Sequence, residues 1–198
     1  MTIGQKIKQL HASLPANVKL VAVSKFHPNE AILEAYEAGQ RLFGESRVQE
    51  LRTKFDTLPK DIIWHFIGPL QTNKVKYIAP FIHLIESVDS LRLLKEINKQ
   101  AKRNNRILPI LLQVHIAEED TKQGFSAEEC YELIASGKLK EYTNISLRGL
   151  MGMATLTDDT AHVQREFHEL KLLYDKCVPH TDPALFTELS MGMTNDYP

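Results

Sequence analysis

Short apolar runs alternate with stretches of helical spacing along the whole chain. Ile3, Ile7, Leu10 and Leu14 recur on one helical face, and that first helix is expected to end before Pro15. Leu20, Val21, Ala22 and Val23 follow as a continuous apolar run, which predicts a strand buried on both faces, as in a parallel sheet. Pro28 suits the first position of the next helix, Ala31, Ile32, Ala35 and Tyr36 line its face, and Gly39 is a natural stop. Further strands are predicted at 41–44, 62–67, 81–88, 107–116, 145–153 and 185–190. The helices between them are marked by Val48, Leu51, Phe55 and Leu58, and by Leu91, Leu94, Ile97 and Ala101 after an N-cap at Asp89. Ser126 to Glu129 fits a capping box for a helix ending near Gly137. Val163, Phe167, Leu170, Tyr174 and Cys177 mark the last long helix, and Thr194-Asn195-Asp196 reads as the turn into another.

Seven strand–helix alternations with short loops argue for an all-parallel α/β sheet with right-handed crossovers. A doubly wound sheet and a TIM-type (β/α)8 barrel both fit that pattern. No Gly-x-Gly-x-x-Gly follows any strand, which counts against a dinucleotide-binding sheet. A barrel needs eight strands, and this chain is one short. The reading that follows is a TIM-type barrel with an extra N-terminal helix, its last helix and eighth strand missing from the given chain. Residues 1–198 then form one domain, C-terminally incomplete.

Composition narrows the function classes. The chain has 198 residues, 25% of them charged, and a net charge of −1 with its 24 basic residues scattered. That distribution suggests neither a nucleic-acid surface nor a polybasic membrane patch. The run 107–114 is interrupted by Pro109 and Gln113 and is far too short to span a membrane. The N-terminus lacks the apolar core of a signal peptide. Cys130 and Cys177 fall within predicted helices at no metal-type spacing, so no metal site is expected, and reduced thiols in the cytoplasm are the simplest account.

Lys25 stands where the first strand emerges, at the rim where α/β proteins place their chemistry. A lysine held against apolar walls loses solvation of its charged form, and its neutral amine can then attack a carbonyl. The bland alternative is a strand-end lysine pointing into water. The strand ends would also gather Glu45, Ser46, His65, Gly68, Ser87 and Met151 at one mouth, with the turn from Ser190 to Thr194. A serine, a glycine and a helix N-terminus suit a phosphate, although Ser-Met-Gly-Met also reads as a plain turn with core methionines. An amine facing a phosphate cup calls for a phosphorylated aldehyde or ketone, and pyridoxal 5′-phosphate carries both groups. His65 beside Trp64 reads as a packed histidine, His162 and His168 as solvated, Glu118-Glu119-Asp120 as a solvated loop, and Arg47 with Glu50 as an i,i+3 pair.

Several blocks in order resemble one family over essentially the whole chain. They are Ala22-Val23-Ser24-Lys25, Phe43-Gly44-Glu45-Ser46-Arg47-Val48-Gln49-Glu50, and Trp64-His65-Phe66-Ile67-Gly68-Pro69-Leu70-Gln71-Thr72-Asn73-Lys74. They continue with Ser87-Val88-Asp89-Ser90, Arg148-Gly149-Leu150-Met151 and Leu189-Ser190-Met191-Gly192-Met193. The chain is identified by these as similar to the pyridoxal-phosphate homeostasis proteins, relatives of the alanine racemase barrel. The resemblance implies a TIM-type barrel carrying pyridoxal phosphate as a Schiff base on Lys25, with Ser46 at the cofactor and Ser190, Gly192 and Met193 at its phosphate. It further implies a role in intracellular pyridoxal phosphate and vitamin B6 balance without established turnover. Transient delivery to pyridoxal-phosphate-dependent apo-enzymes, a monomer and a cytoplasmic location go with it. Ser46 replaces the family's usual asparagine, Pro69 a common histidine and His115 a common asparagine. The family's closing strand, Gly-Ser-Thr-x-Val-Arg-Ile-Gly, is not found in this sequence.

Two other classes stay open on the residues alone. An amino-acid racemase would use Lys25 as one base and needs a second acid/base on the opposite face of the cofactor. Slow proton exchange by lysine alone would give weak side activity. A class I aldolase-like barrel would use a Schiff-base lysine without cofactor.

Overall fold

A computed structural model of the chain describes residues 1–117 and 123–193. The expected loop at Glu118-Glu119-Asp120 and the turn at Thr194-Asn195-Asp196 lie outside the described residues. Seven parallel strands form one sheet: β1 (Ala22–Val23), β2 (Leu42–Glu45), β3 (Ile63–Phe66), β4 (Leu84–Val88), β5 (Leu108–His115), β6 (Ile145–Met153) and β7 (Glu188–Ser190). Among the described residues seven α-helices accompany them: α1 (Ile3–Ser13), α2 (Asn29–Glu37), α3 (Val48–Thr57), α4 (Val75–Ile78), α5 (Leu91–Arg103), α6 (Ala127–Ala135) and α7 (Thr160–Cys177).

The strands lie side by side in sequence order from β1 to β7. A doubly wound sheet reverses its order at a switch point, so this order selects the barrel-type winding. Curvature is visible in two contacts. Ser190 Oγ on β7 reaches Glu86 Oε2 on β4 at 2.6 Å, although two strands intervene. Three strand steps in a flat sheet would separate them by about 14 Å. Lys19, just before β1, pairs with Glu188 on β7 at 2.8 Å, so the two edges of the sheet also curl toward each other. The result is a half-barrel.

Period-two alternation sorts the strand residues onto two faces. Phe43, Trp64, Phe66, Ile85, Ile110, Leu112 and Leu150 belong to the main core together with helix residues Leu51, Leu94, Ile97, Leu133 and Leu170. That face is the outer one, covered by helices, and each fully buried side chain on it is worth about 1.5–3 kcal/mol. Leu84, Leu111 and Met151, of the opposite parity, form a separate small cluster inside. His65, Glu86, Gln113 and Ser190 share that inner face.

Several sequence expectations shift in register. Strand β1 is only two residues long because β2 begins at Leu42, and pairing starts at Ala22 with Phe43. Before it, the Gln40 amide Nε2 takes the place of a ladder, donating to the Leu20 carbonyl at 2.8 Å and the Leu42 carbonyl at 2.5 Å. Nor is β1 buried on both faces: Val23 is 45% exposed toward the barrel interior. Pro28 is the N-cap of α2 and not its first residue. Ser90, whose hydroxyl accepts from Leu93 N–H, caps α5 in place of Asp89. On α7 the buried positions are Val163, Glu166, Leu170, Leu173 and Cys177, while Phe167 and Tyr174 are half-buried. The single-turn α4 was not expected, since Val75 and Ile78 alone carry no period. Both cysteines are buried and free, and burial raises the Cys177 thiol to about 11. Among the described residues no helix is long and apolar enough to cross a membrane.

Candidate functional site

Lys25 follows directly on β1. The Ser24 amide continues the ladder by donating to the Gly44 carbonyl at 3.0 Å, and a turn closes from His27 N–H to the Ser24 carbonyl at 3.1 Å. Phe26 then takes a left-handed φ of 66°, uncommon for an aromatic residue. This corner leaves Lys25 exposed, and its amine has no partner among the described residues. Among the described residues Lys25 is not enclosed by the expected apolar walls, and its neighbour Val23 is exposed as well.

Beneath the corner lies a buried ionic cluster. Lys54 on α3 donates to Glu45 Oε1 at 2.6 Å, to Glu50 Oε1 at 2.6 Å and to the Ser24 carbonyl at 2.7 Å. Ser24 Oγ donates to the same Glu45 oxygen at 2.7 Å. Glu45 therefore points toward α3 and away from the mouth where it was expected, and its Oε2 is buried with no partner among the described residues. Burial raises the Glu45 carboxyl above its ordinary value, and the hydrogen bonds from Lys54 and Ser24 offset only part of this. For Glu50 burial also pushes upward, but hydrogen bonds from Lys54 and Phe26 N–H and the Lys54 and Arg47 charges outweigh it, so its carboxyl is held low. Arg47 lies over the Phe26 ring at 4.6 Å, so its expected pairing with Glu50 is replaced by Lys54.

On the other edge, β7 ends at Ser190 and the chain turns through Met191, Gly192 and Met193, all exposed. Gly192 has φ 87°, a left-handed conformation that glycine adopts without strain. The Ser190 hydroxyl is committed to Glu86. The other Glu86 oxygen meets His65 Nδ1 at 2.6 Å, and His65 stacks on His83 with ring centroids 5.7 Å apart. The inner face therefore carries a polar line from β3 through β4 to β7, beside the Leu84, Leu111 and Met151 cluster.

A family model described as the alanine racemase N-terminal domain matches residues 2–197. The pyridoxal phosphate homeostasis protein of Pasteurella multocida is 36% identical over 99% of this chain and 89% of its own length. PipY of Synechococcus elongatus, solved without pyridoxal phosphate, superposes with a TM-score of 0.92 at 36% identity, covering 100% of this chain and 92% of PipY. The same protein with pyridoxal phosphate bound gives 0.87 at 35% identity over the same shares. The chain belongs to the pyridoxal phosphate homeostasis protein family.

Within that family frame, the C-terminal ends of the strands bring Lys25, Ser46 and Ser190 to one edge of the sheet, with Gly192 and Met193 just beyond. Ser46 is half-buried and packed against Gly68, where an added Cβ would lie 2.5 Å from the Ser46 Cβ. Ser87 is buried and donates to the Gly68 carbonyl at 2.6 Å, so it supports this loop from below instead of lining the mouth. Lys54 and Glu86 were missed in the sequence reading. Each had a signal: Lys54 follows Leu51 by three positions on the buried stripe of α3, and Glu86 is the lone carboxylate in an apolar strand.

Proposed function

We propose that this chain binds pyridoxal 5′-phosphate as a Schiff base on Lys25 and serves in intracellular pyridoxal phosphate balance. The observation that carries the reading is the exposed Lys25 amine, without a partner among the described residues, at the C-terminal edge of a barrel-type sheet, in a chain 35% identical to a protein solved with this cofactor. The donor set fits the group. The Lys25 amine would hold the cofactor through its aldehyde carbon. Ser190 and the Gly192-Met193 backbone stand at a strand end suited to the phosphate, and Ser46 would lie beside the cofactor.

Bound pyridoxal phosphate would supply its conjugated ring as an electron sink; the residues of this chain would bind and orient it. Holding in place of turnover is supported by the relatives, which are named pyridoxal phosphate homeostasis proteins; on the inner face His65 and Ser190 both bond Glu86. A monomer in the cytoplasm that passes the cofactor transiently to dependent apo-enzymes completes the proposal, and the two free, buried cysteines accord with a reducing compartment.

The test is the visible spectrum of the purified protein after addition of pyridoxal phosphate. A yellow band that borohydride fixes to the Lys25 peptide, absent in Lys25→Ala, is expected. A colourless protein that takes up no cofactor overturns the reading. Alanine and serine racemisation assayed against the same Lys25→Ala control tests holding against turnover, and lysine-dependent turnover of either amino acid overturns the carrier role.

A further inference from the structure

The two peptide groups that bracket Lys25 are each held by the buried cluster under them. The first, between Ser24 and Lys25, has its carbonyl oxygen 2.7 Å from Lys54 Nζ. The second, between Lys25 and Phe26, has its N–H on Glu50 Oε1 at 2.7 Å. Lys54 joins the two anchors, because its ammonium also binds that Glu50 oxygen at 2.6 Å. With Glu45 Oε1 as the third acceptor, all three ammonium donors are used. Fixing both peptide planes fixes φ and ψ at Lys25 and hence the direction of its Cα–Cβ bond.

We infer that Lys54 is a positioning residue for Lys25: its ammonium, acting with Glu50, clamps both flanking peptide groups and aims the Lys25 amine along the inner face. This rests on the reading of Lys25 as the cofactor-binding lysine. Two features argue that the cluster serves placement and not stability alone. Buried ion pairs are costly to desolvate and contribute weakly to folding, and this one leaves Glu45 Oε2 buried without a partner among the described residues. The Phe26 backbone at φ 66° is a strained state for a residue with a side chain, and such states persist where the surroundings over-determine them. The clamp supplies that determination, with the Lys54 side chain only 5% exposed and Glu45 at 0%.

The test uses two variants of the full chain. Lys54→Met combined with Glu45→Gln removes the ammonium together with the fully buried Glu45 charge, and Glu50→Ala releases the Phe26 N–H along with one of the three Lys54 acceptors. Hydrogen exchange of the Phe26 amide is read in cofactor-free protein against a core amide such as Leu112, which separates local release from global destabilisation. Pyridoxal phosphate is then titrated, fixed with borohydride and located by peptide mass. Both variants are expected to lose Phe26 protection relative to Leu112. Half-saturation of Lys25 is expected at about tenfold higher cofactor, since displacement on the order of 1 Å costs up to about 10²-fold in such reactions. Unchanged relative protection of Phe26, or unchanged labelling of Lys25 in variants that have lost it, overturns the inference. If wild-type protein takes no cofactor on Lys25, the functional reading falls by itself, and relative Phe26 exchange alone then decides whether the clamp exists.

Discussion

The Ser190 hydroxyl donates to the Glu86 carboxylate at 2.6 Å, linking a serine at the end of β7 to the middle strand of the sheet. A serine has one proton to donate, and here an acceptor inside the barrel takes it. A phosphate at the β7 turn would meet the serine oxygen lone pairs and a nearby negative carboxylate unless the hydroxyl turns away. The glycine backbone at residue 192 and the Lys25 amine would then carry more of the cofactor than Ser190 does.

Removing the Glu86 charge is therefore expected to tighten pyridoxal phosphate binding. A like charge about 4 Å away under water-like screening is worth about 1 kcal/mol, which sets the gain for Glu86→Gln at about fivefold. Equilibrium titration followed by absorbance measures it. Weaker binding by the variant would instead make Glu86 a support for the site.

Lys25→Ala is expected to leave the fold intact. The side chain is exposed and makes no hydrogen bond among the described residues, and substitutions at such positions usually stay within about 0.5 kcal/mol. For a chain of this size that is a Tm change within about 2 °C. Thermal unfolding without cofactor checks it, and a large fall would mean that Lys25 is part of the packing.

Much of this architecture was legible in the sequence, for reasons that differ between elements. The strands β3 to β5 are mainly apolar on the outer face and carry isolated polar residues such as His65, Glu86 and Gln113 on the inner one, so they still stand out as runs. Strand β1 stood out for the same reason and was overestimated, because its length is set by where β2 starts and not by its own residues. The α4 turn is too short to show a period. At the site, Lys25, Ser190 and Gly192 were visible as residue types at strand ends. Lys54 and Glu86 showed only as a lysine on an apolar stripe and a carboxylate in an apolar strand, since their partners are distant in sequence: Lys54 meets Ser24 thirty positions away, and Glu86 meets Ser190 across 104.

Gly68→Ala should displace the loop at Ser46. The added Cβ would lie 2.5 Å from Ser46 Cβ and 2.6 Å from both its Cα and its carbonyl oxygen, so the backbone of the β2 end must move. Overpacking of this kind costs about 1–3 kcal/mol, readable by urea unfolding. Because two of the three contacts are backbone, adding Ser46→Gly is expected to recover only part of the loss, and full recovery would contradict the geometry.

Glu166 gives a pH-dependent prediction. It is buried on α7 and accepts from Thr155 N–H at 2.7 Å, from Thr155 Oγ1 at 2.6 Å and from His162 Nε2 at 3.1 Å, tying the chain after β6 to the helix. Burial pushes its carboxyl upward, yet the Thr155 and His162 hydrogen bonds and the His162 charge outweigh burial and hold it below its ordinary value of 4.5. A carboxyl lowered in the folded state binds protons more weakly there than in the unfolded chain, so folding gains from it above about pH 4.5. That gain disappears as pH falls through the lowered folded value. Glu166→Gln is expected to cost about 2 kcal/mol at pH 7, the loss of charge-assisted hydrogen bonds, and the gap from wild type should shrink steadily on acidification below 4.5. Denaturant unfolding at pH 7, 5 and 3 measures both limbs, and a gap that stays constant with pH would show that the carboxylate charge contributes nothing to the anchor.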